Sequence, residues 1–286
     1  MHGVRLRKAL GQHHLVDGAL CRPLVDFLAP AGERVLEIGP GGGVLTGELL
    51  AAGAKVLAWE LDPAWAAVLR RRHLSGSLPP GGGGRRLALG VGDAPWGGGR
   101  RLALAVGDAM DIRWGRLPPP TLVAGNLPYG IATALLERLL PHHRTVPRAA
   151  FLVQREVADR LLARPGDRAY GSFSVLVAAY SRPRRLGRVR PGSFRPPPKV
   201  EGAFVGLELA PPPLPETEMP AFLATLRLAF AQRRKTLRNA LAAGWGRERA
   251  AALLAALGLP PTTRAEQLDL AALLALHQET PSLTTT

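Results

Sequence analysis

The residues best suited to chemistry stand together as Asn126-Leu127-Pro128-Tyr129, directly after the apolar run LVAG. The exocyclic amine of a nucleobase is a poor nucleophile because its lone pair is delocalised into the ring. Two acceptors aimed at its two N–H bonds oppose that delocalisation. The Asn126 side-chain oxygen and the Leu127 carbonyl are close enough in sequence to act together. Pro128 stiffens the turn without adding a competing donor, and Tyr129 offers a stacking face. Stacking contributes roughly 1 to 3 kcal/mol per base, comparable with the few kcal/mol needed to draw a nucleotide out of its helix. The amine proton becomes acidic once its nitrogen attacks an alkyl electrophile, so no catalytic His or Cys is required beforehand. The competing reading of these four residues is an ordinary Asn-x-Pro turn.

A donor site is suggested upstream. VLEIGPGGGVLTGELL reads as a strand, a glycine-dense turn and a helix, the arrangement by which an α/β sheet brings backbone N–H groups up to a ligand. Gly39 and Gly41 permit close approach. A dinucleotide fingerprint wants Gly or Ala at its last position, where this chain has Val44 or Thr46, which argues against a nicotinamide cofactor. Glu37 precedes the loop, and Glu60 ends the next strand at nearly the spacing of about 20 residues expected for an acid on ribose hydroxyls. Asp108 closes the following strand, where a carboxylate can accept from an adenine amino group. This set fits S-adenosylmethionine, a nucleoside without a pyrophosphate, better than a dinucleotide. Taken singly, the loop could be a plain turn and the acids helix caps.

The elements that must position these residues follow from the apolar pattern. Short apolar runs alternate with helical stretches up to about Ala210, which predicts a parallel sheet with crossover helices, a Rossmann-like α/β domain over 1–210. AAFLVQREVADRLLAR reads as a strand entering a helix, and YGSFSVLVAAY and AFVGLELA as two further strands. PPPLPETEMP at 211–220 holds five prolines and reads as a stiff linker. The segment 221–280 reads as a small all-helical domain: AFLATLRLAFAQRRKTLRNALAAG, then RERAAALLAALG, then a helix opened by a capping box from Thr263 to Glu266. The tail 281–286 is expected to be disordered. GGGRRLALGVGDA at 82–94 returns as GGGRRLALAVGDA at 97–109. The second copy is assigned to the sheet because it runs directly into MDIRW, and the first is expected to be a surface excursion, with Asp93 a decoy for Asp108.

Composition narrows the partners. The 286 residues carry 37 basic and 22 acidic side chains, a net charge of +15, and 47% are apolar, enough for a real core. Lysine occurs only at Lys8, Lys55, Lys199 and Lys235, so the charge is mostly arginine, gathered at 5–8, 181–199 and 233–238. Arg234 and Arg238, four apart, are expected to share a helical face. Arg184, Arg185, Arg188, Arg233, Arg234, Lys235 and Arg238 are the candidate RNA contacts, the alternative being solvated surface. Cys21 is the only cysteine, which excludes an internal disulfide and a zinc site of several thiolates. No apolar run reaches the roughly 18 residues of a membrane span, and no secretion signal opens the chain. A soluble, cytoplasmic monomer with no metal and no membrane partner is expected.

Together these motifs resemble the ribosomal RNA adenine N6,N6-dimethyltransferase family. The likeness is carried by RKALGQHHL at 7–15, EIGPGGGVLT at 37–46, WELD at 59–62, GDAMDI at 107–112, NLPY at 126–129, QREVADRL at 154–161, YGSFSV at 170–175, PGSFRPPPKV at 191–200, FAQRRKTLRNAL at 230–241 and RAEQLDL at 264–270. The resemblance implies methyl transfer from S-adenosylmethionine to two adjacent adenosines near the 3' end of small-subunit ribosomal RNA, with that subunit as partner. It places cofactor contacts on His13, Leu15, Gly39, Glu60, Asp108 and Asn126, to which the glycine loop adds Gly41. It makes Phe194 the ring that packs on the extruded base opposite Tyr129. His13-His14 is a departure, since the family usually reads Asn-Phe there. The rival readings are the related large-subunit enzyme of the antibiotic-resistance type and a mainly non-catalytic assembly factor of the small subunit.

Overall fold

Strands buried on both faces read as unbroken apolar runs rather than as alternation, and the central sheet is built from such runs. The computed structural model describes residues 13–73, 101–128 and 130–282. Its elements in chain order begin with β1 (His14–Leu15), α1 (Arg22–Leu28), β2 (Arg34–Ile38), α2 (Val44–Ala51), β3 (Lys55–Glu60), α3 (Pro63–His73) and β4 (Leu102–Val106). There follow β5 (Leu122–Asn126), α4 (Ala132–Leu139), β6 (Arg148–Gln154), α5 (Arg155–Leu162), α6 (Ser172–Tyr180), β7 (Ser181–Val189), β8 (Phe194–Arg195) and β9 (Gly202–Leu209). Four helices close the chain: α7 (Met219–Ala229), α8 (Leu237–Trp245), α9 (Arg247–Ala256) and α10 (Leu270–Ser282).

The sheet order is β4-β3-β2-β5-β6-β9-β7. β2 is parallel to both β3 and β5, β3 to β4, and β5 to β6, whereas β9 runs antiparallel to β6. The chain therefore winds outward from β2 in one direction and returns to its other side at β5. A crevice opens at such a reversal beyond the carboxyl ends of the strands, where open α/β sheets take their ligands. One face of the sheet, with Val35, Val56, Leu122, Ala124, Ala150 and Leu152, packs on Leu24, Leu28, Leu45 and Leu49 of α1 and α2 in one continuous core. Full burial stabilises by roughly 1.5 to 3 kcal/mol for each such leucine. The second copy of the repeat forms β4 as expected; the first copy and Asp93 lie outside the described residues.

The described chain divides into two compact units, one within 1–158 and 182–210, the other within 159–181 and 211–286. The expected first domain, 1–210, thus cedes 159–181 to the second unit. The reason lies in one segment. YGSFSVLVAAY is not a strand but α6, in which seven residues from Phe173 to Tyr180 are buried. A helix buried on nearly every side loses its 3.6-residue signature and looks like a buried strand. The Gly171 N–H donates to Ser174 Oγ, and that hydroxyl donates to the Arg160 carbonyl, which holds the first turn.

The long expected helix after Ala221 is also divided. A turn over Gln232–Lys235 interrupts it, and Thr236 restarts it by accepting from the Asn239 N–H. Thr is a good cap because its oxygen satisfies an otherwise orphaned donor. Arg234 sits in that turn and Arg238 in α8, so the two do not share a helical face as expected. The Thr263–Glu266 capping box is likewise replaced: Gln267 Oε1 accepts from the Arg264 N–H in a short 3-10 turn, and Asp269 caps α10 through the Ala272 N–H. The linker's last residues, Met219 and Pro220, already belong to α7, where proline in the first turn costs no hydrogen bond. The expected tail from 281 begins two residues too early, since α10 extends to Ser282.

Candidate active site

Each parallel strand near the reversal delivers one functional group at its carboxyl end. β2 runs into Gly39-Pro40-Gly41, β3 ends on Glu60, Asp108 follows β4, and β5 ends on Asn126. Gly39, Gly41, Glu60, Asp108 and Asn126 line a single cavity with His13, His14, Trp59, Trp65, Leu127 and Pro128. Gly41, at φ +51, shows why the loop is glycine: a Cβ there would run into the His14 ring. The positive φ alone disfavours any L side chain.

The acids do structural and chemical work together. Glu60 accepts from the Gly41 N–H at 3.0 Å and from the Asp62 N–H at 2.8 Å, so it ties the glycine loop to β3. Burial pushes the Glu60 carboxyl above the usual carboxylate range, against the opposing pull of those two hydrogen bonds. Glu37 does not line the cavity. It is buried beneath the loop and accepts from the Thr46 hydroxyl at 2.6 Å. Desolvation pushes its pKa up to about 8, with the charge of Glu60 adding in the same direction. Asp108 faces the cavity while one of its oxygens accepts from the Met110 N–H at 2.8 Å, so it caps a turn and lines the site at once.

Asn126 is held from an unexpected quarter. Its Nδ2 donates to the His13 backbone carbonyl at 2.8 Å, which orients the amide and leaves Oδ1 as the group with acceptor capacity to spare. His13 is itself clamped: Nδ1 lies 2.8 Å from the Pro196 carbonyl, and the adjoining β1 pairs antiparallel with β8. The strap at 13–15 thus links the Asn-Leu-Pro element to the PGSFRPPPK loop. At Gly125 the backbone of β5 passes so near β2 that a Cβ would stand 2.7 Å from the Ile38 carbonyl oxygen.

Of the residues anticipated from sequence, His13, Gly39, Gly41, Glu60, Asp108, Asn126, Leu127 and Pro128 line this cavity. Leu15 does not; its side chain is buried in the sheet core. Phe194 is corrected as well: at 2% exposure it packs in the same core with Leu15 and Phe204, so its ring anchors the loop and is no open stacking face. Tyr129 and the basic stretch 5–8 lie outside the described residues. Arg184, Arg185 and Arg188 are exposed on β7, with Arg184 paired to Glu208 at 3.1 Å. In the second unit Arg233, Arg234, Lys235 and Arg238 are exposed. Sequence reasoning missed Trp59, Trp65 and His14; the only signal for the tryptophans is their closeness to Glu60. Among the described residues no cluster of His, Cys, Asp and Glu could hold a metal, and no helix is long and apolar enough to cross a membrane.

A family model described as ribosomal RNA adenine dimethylase matches residues 3–78 and 101–280. It passes over the stretch that contains the first repeat copy. The ribosomal RNA small subunit methyltransferase A of Acidothermus cellulolyticus is 40% identical over 288 residues, covering 98% of this chain and 91% of that protein. Its namesake from Pseudomonas aeruginosa is 38% identical over 281 residues, covering 98% and 96%. Among solved structures, a dimethyladenosine transferase from Plasmodium falciparum superposes with a TM-score of 0.75 at 23% identity, covering 94% of this chain and 98% of that one. The 23S rRNA methyltransferase ErmE does so with 0.65 at 23% identity, covering 93% and 99%. At that identity the two speak for the fold. The family model and the relatives, which span the chain almost from end to end, carry the conclusion: this protein belongs to the ribosomal RNA adenine dimethylase family.

Proposed function

We propose that the protein transfers methyl groups from S-adenosylmethionine to N6 of two adjacent adenosines near the 3' end of small-subunit ribosomal RNA. The observation that carries this reading is the geometry of Asn126: an amide at a strand end, its nitrogen engaged by His13 and its oxygen left to accept, beside a glycine loop and two acids. The donor fits the residues present: Gly39 and Gly41 line the cavity without side chains, and Glu60 and Asp108 match ribose hydroxyls and an adenine amine respectively. When bound, S-adenosylmethionine supplies an electrophilic methyl group on sulfonium.

The chain's own residues act on the acceptor amine. Asn126 Oδ1 and the Leu127 carbonyl accept its two N–H bonds, which keeps the lone pair localised on nitrogen and directs it toward the donor cavity. Tyr129 stacks on the extruded base. The exposed arginines of β7 and the basic turn before α8 meet RNA phosphates, each in its own unit. A catalytic first unit and an RNA-binding second unit, working as a monomer in the cytoplasm, complete the reading. The names of the curated relatives favour the small subunit over the large.

Small subunits stripped of this modification are expected to accept labelled methyl from S-adenosylmethionine with the purified protein, at two neighbouring adenosines mapped by primer extension. Label on large-subunit RNA alone, or subunit binding with no transfer, overturns the proposal.

A further inference from the structure

Asn126 has a donor flank and an acceptor flank, and the sheet order tells them apart. β5 lies between β2 and β6. β2 runs into the glycine loop, so that flank belongs to the methyl donor, and the carboxyl end of β6 is the flank left for an acceptor base. That end reads Gln154-Arg155-Glu156, the opening of QREVADRL. Among the described residues that line the donor cavity, none of these three is found. Arg155 is already paired with Glu201 at 3.5 Å, and Glu156 is exposed on α5.

Strand register singles out Gln154. Asn126 pairs with Leu152 across the parallel ladder of β5 and β6. Side chains alternate along a strand, so Gln154 rises on the same face as Asn126, two residues further toward the carboxyl edge. The Leu127 N–H donates to the Leu152 carbonyl at 3.0 Å. Leu127, whose own carbonyl is to accept the amine, is therefore tied to β6 just before Gln154. On its other side Gln154 pairs with Gly202 of β9, which brings no side chain to the space beside it. The Gln154 amide is half-buried and has no hydrogen-bond partner among the described residues. It thus keeps two N–H donors and an acceptor oxygen unspent beside the acceptor flank.

The chemistry of adenine says what that amide can do. Asn126 Oδ1 and the Leu127 carbonyl are both acceptors, so they hold the amine and nothing else of the base. N1 stands on one side of that amine and N7 on the other, each a ring nitrogen that accepts and carries no hydrogen. A donor placed beside the two acceptors meets one of them, and enzymes that extrude a base read its edge by such hydrogen bonds. Resting on the acceptor reading above, we propose that Gln154 is a specificity-determining residue of the acceptor pocket, its Nε2 donating to a ring nitrogen that flanks the amine of the extruded adenine. With three hydrogen bonds in one plane the base cannot turn within that plane, and the amine lone pair stays directed at the donor.

The test pairs changes in the protein with changes in single atoms of the base. Unmodified small subunits given a synthetic 3' segment carry adenosine, 1-deazaadenosine or 7-deazaadenosine at one target position; each analogue keeps the amine and replaces one ring nitrogen by C–H. The initial rate of labelled methyl transfer at that position is read for the wild-type protein, for Gln154→Ala and for Gln154→Glu. The second variant keeps the size of the side chain and, ionised, has no hydrogen to donate, so it serves if alanine unsettles the strand end. Circular dichroism and affinity for S-adenosylhomocysteine, the donor without its methyl group, show that a variant is folded with its donor site intact. On adenosine both variants are expected to be about three- to tenfold slower than wild type, the range of one neutral hydrogen bond. Wild type is expected to lose a similar factor on one of the two analogues, and the variants to lose nothing further on that one. An effect intrinsic to the analogue slows all three proteins alike. A folded variant that equals wild type on adenosine, a wild type indifferent to both analogues, or a penalty that persists in full in both variants overturns the role of Gln154 while the methyl-transfer reading stands. Absence of transfer to adenosine by the wild-type protein overturns both.

Discussion

At the scale of single residues, the site separates groups that touch substrate from groups that hold the frame. Asn126 belongs to the first kind. Asn126→Ala removes an acceptor that a bound adenosine amine needs, and single preorganised hydrogen-bonding groups of this sort are worth about a hundredfold or more in rate. Transfer should fall by at least that factor, well beyond any loss of S-adenosylhomocysteine affinity read by calorimetry; a variant that methylates at the wild-type rate rules out the role. Glu37 belongs to the second kind. Its folded pKa of about 8 lies above the ordinary 4.5, so the folded protein keeps a proton that the unfolded chain has released between those values. Stability therefore declines as pH rises through that window and levels off above it. Glu37→Gln, which keeps an acceptor for Thr46 and carries no charge, should flatten much of this decline in melting temperature measured across pH. Glu60, displaced in the same direction, leaves a residual slope. A variant with the full wild-type slope would show that Glu37 is ionised throughout.

At the scale of elements, the glycine loop and the strap at 13–15 are the parts on which the cavity depends. Gly41→Ala sets a methyl group against the His14 ring in a left-handed backbone conformation, a combination that costs on the order of 1 to 3 kcal/mol. Thermal denaturation should show the loss, and donor affinity should drop with it, since the strap that orients Asn126 must shift. An unchanged melting temperature would mean that His14 moves aside freely. Much at this scale is legible in the residues alone. The loop, the acid spacing and the Asn-Leu-Pro turn declare themselves because strand ends and glycines leave local signatures. The α6 segment does not, because burial on all sides erases periodicity. Nor does the core position of Phe194, because an aromatic one residue ahead of a proline run reads alike whether its ring turns outward or inward.

At the scale of the whole molecule, the net charge of +15 is the property most open to experiment. Arg185 and Arg188 are exposed on β7. If they meet phosphates, replacing both with alanine should weaken binding to small subunits and reduce the slope of log affinity against log salt by about 1 for each phosphate no longer neutralised. A slope equal to that of the wild-type protein would mean that neither arginine meets a phosphate. By itself, the amino-acid sequence determined the alternation of elements, the residues at the strand ends and the cationic balance, since each is written in neighbouring residues and summed locally. Only the tertiary structure decided that 159–181 joins the helical unit, that the His13 carbonyl orients Asn126 from 113 positions away, and that His14 and Trp65 share one wall. Those are meetings of segments distant in the chain, settled by which surfaces pack together, and no local pattern of residue types records them.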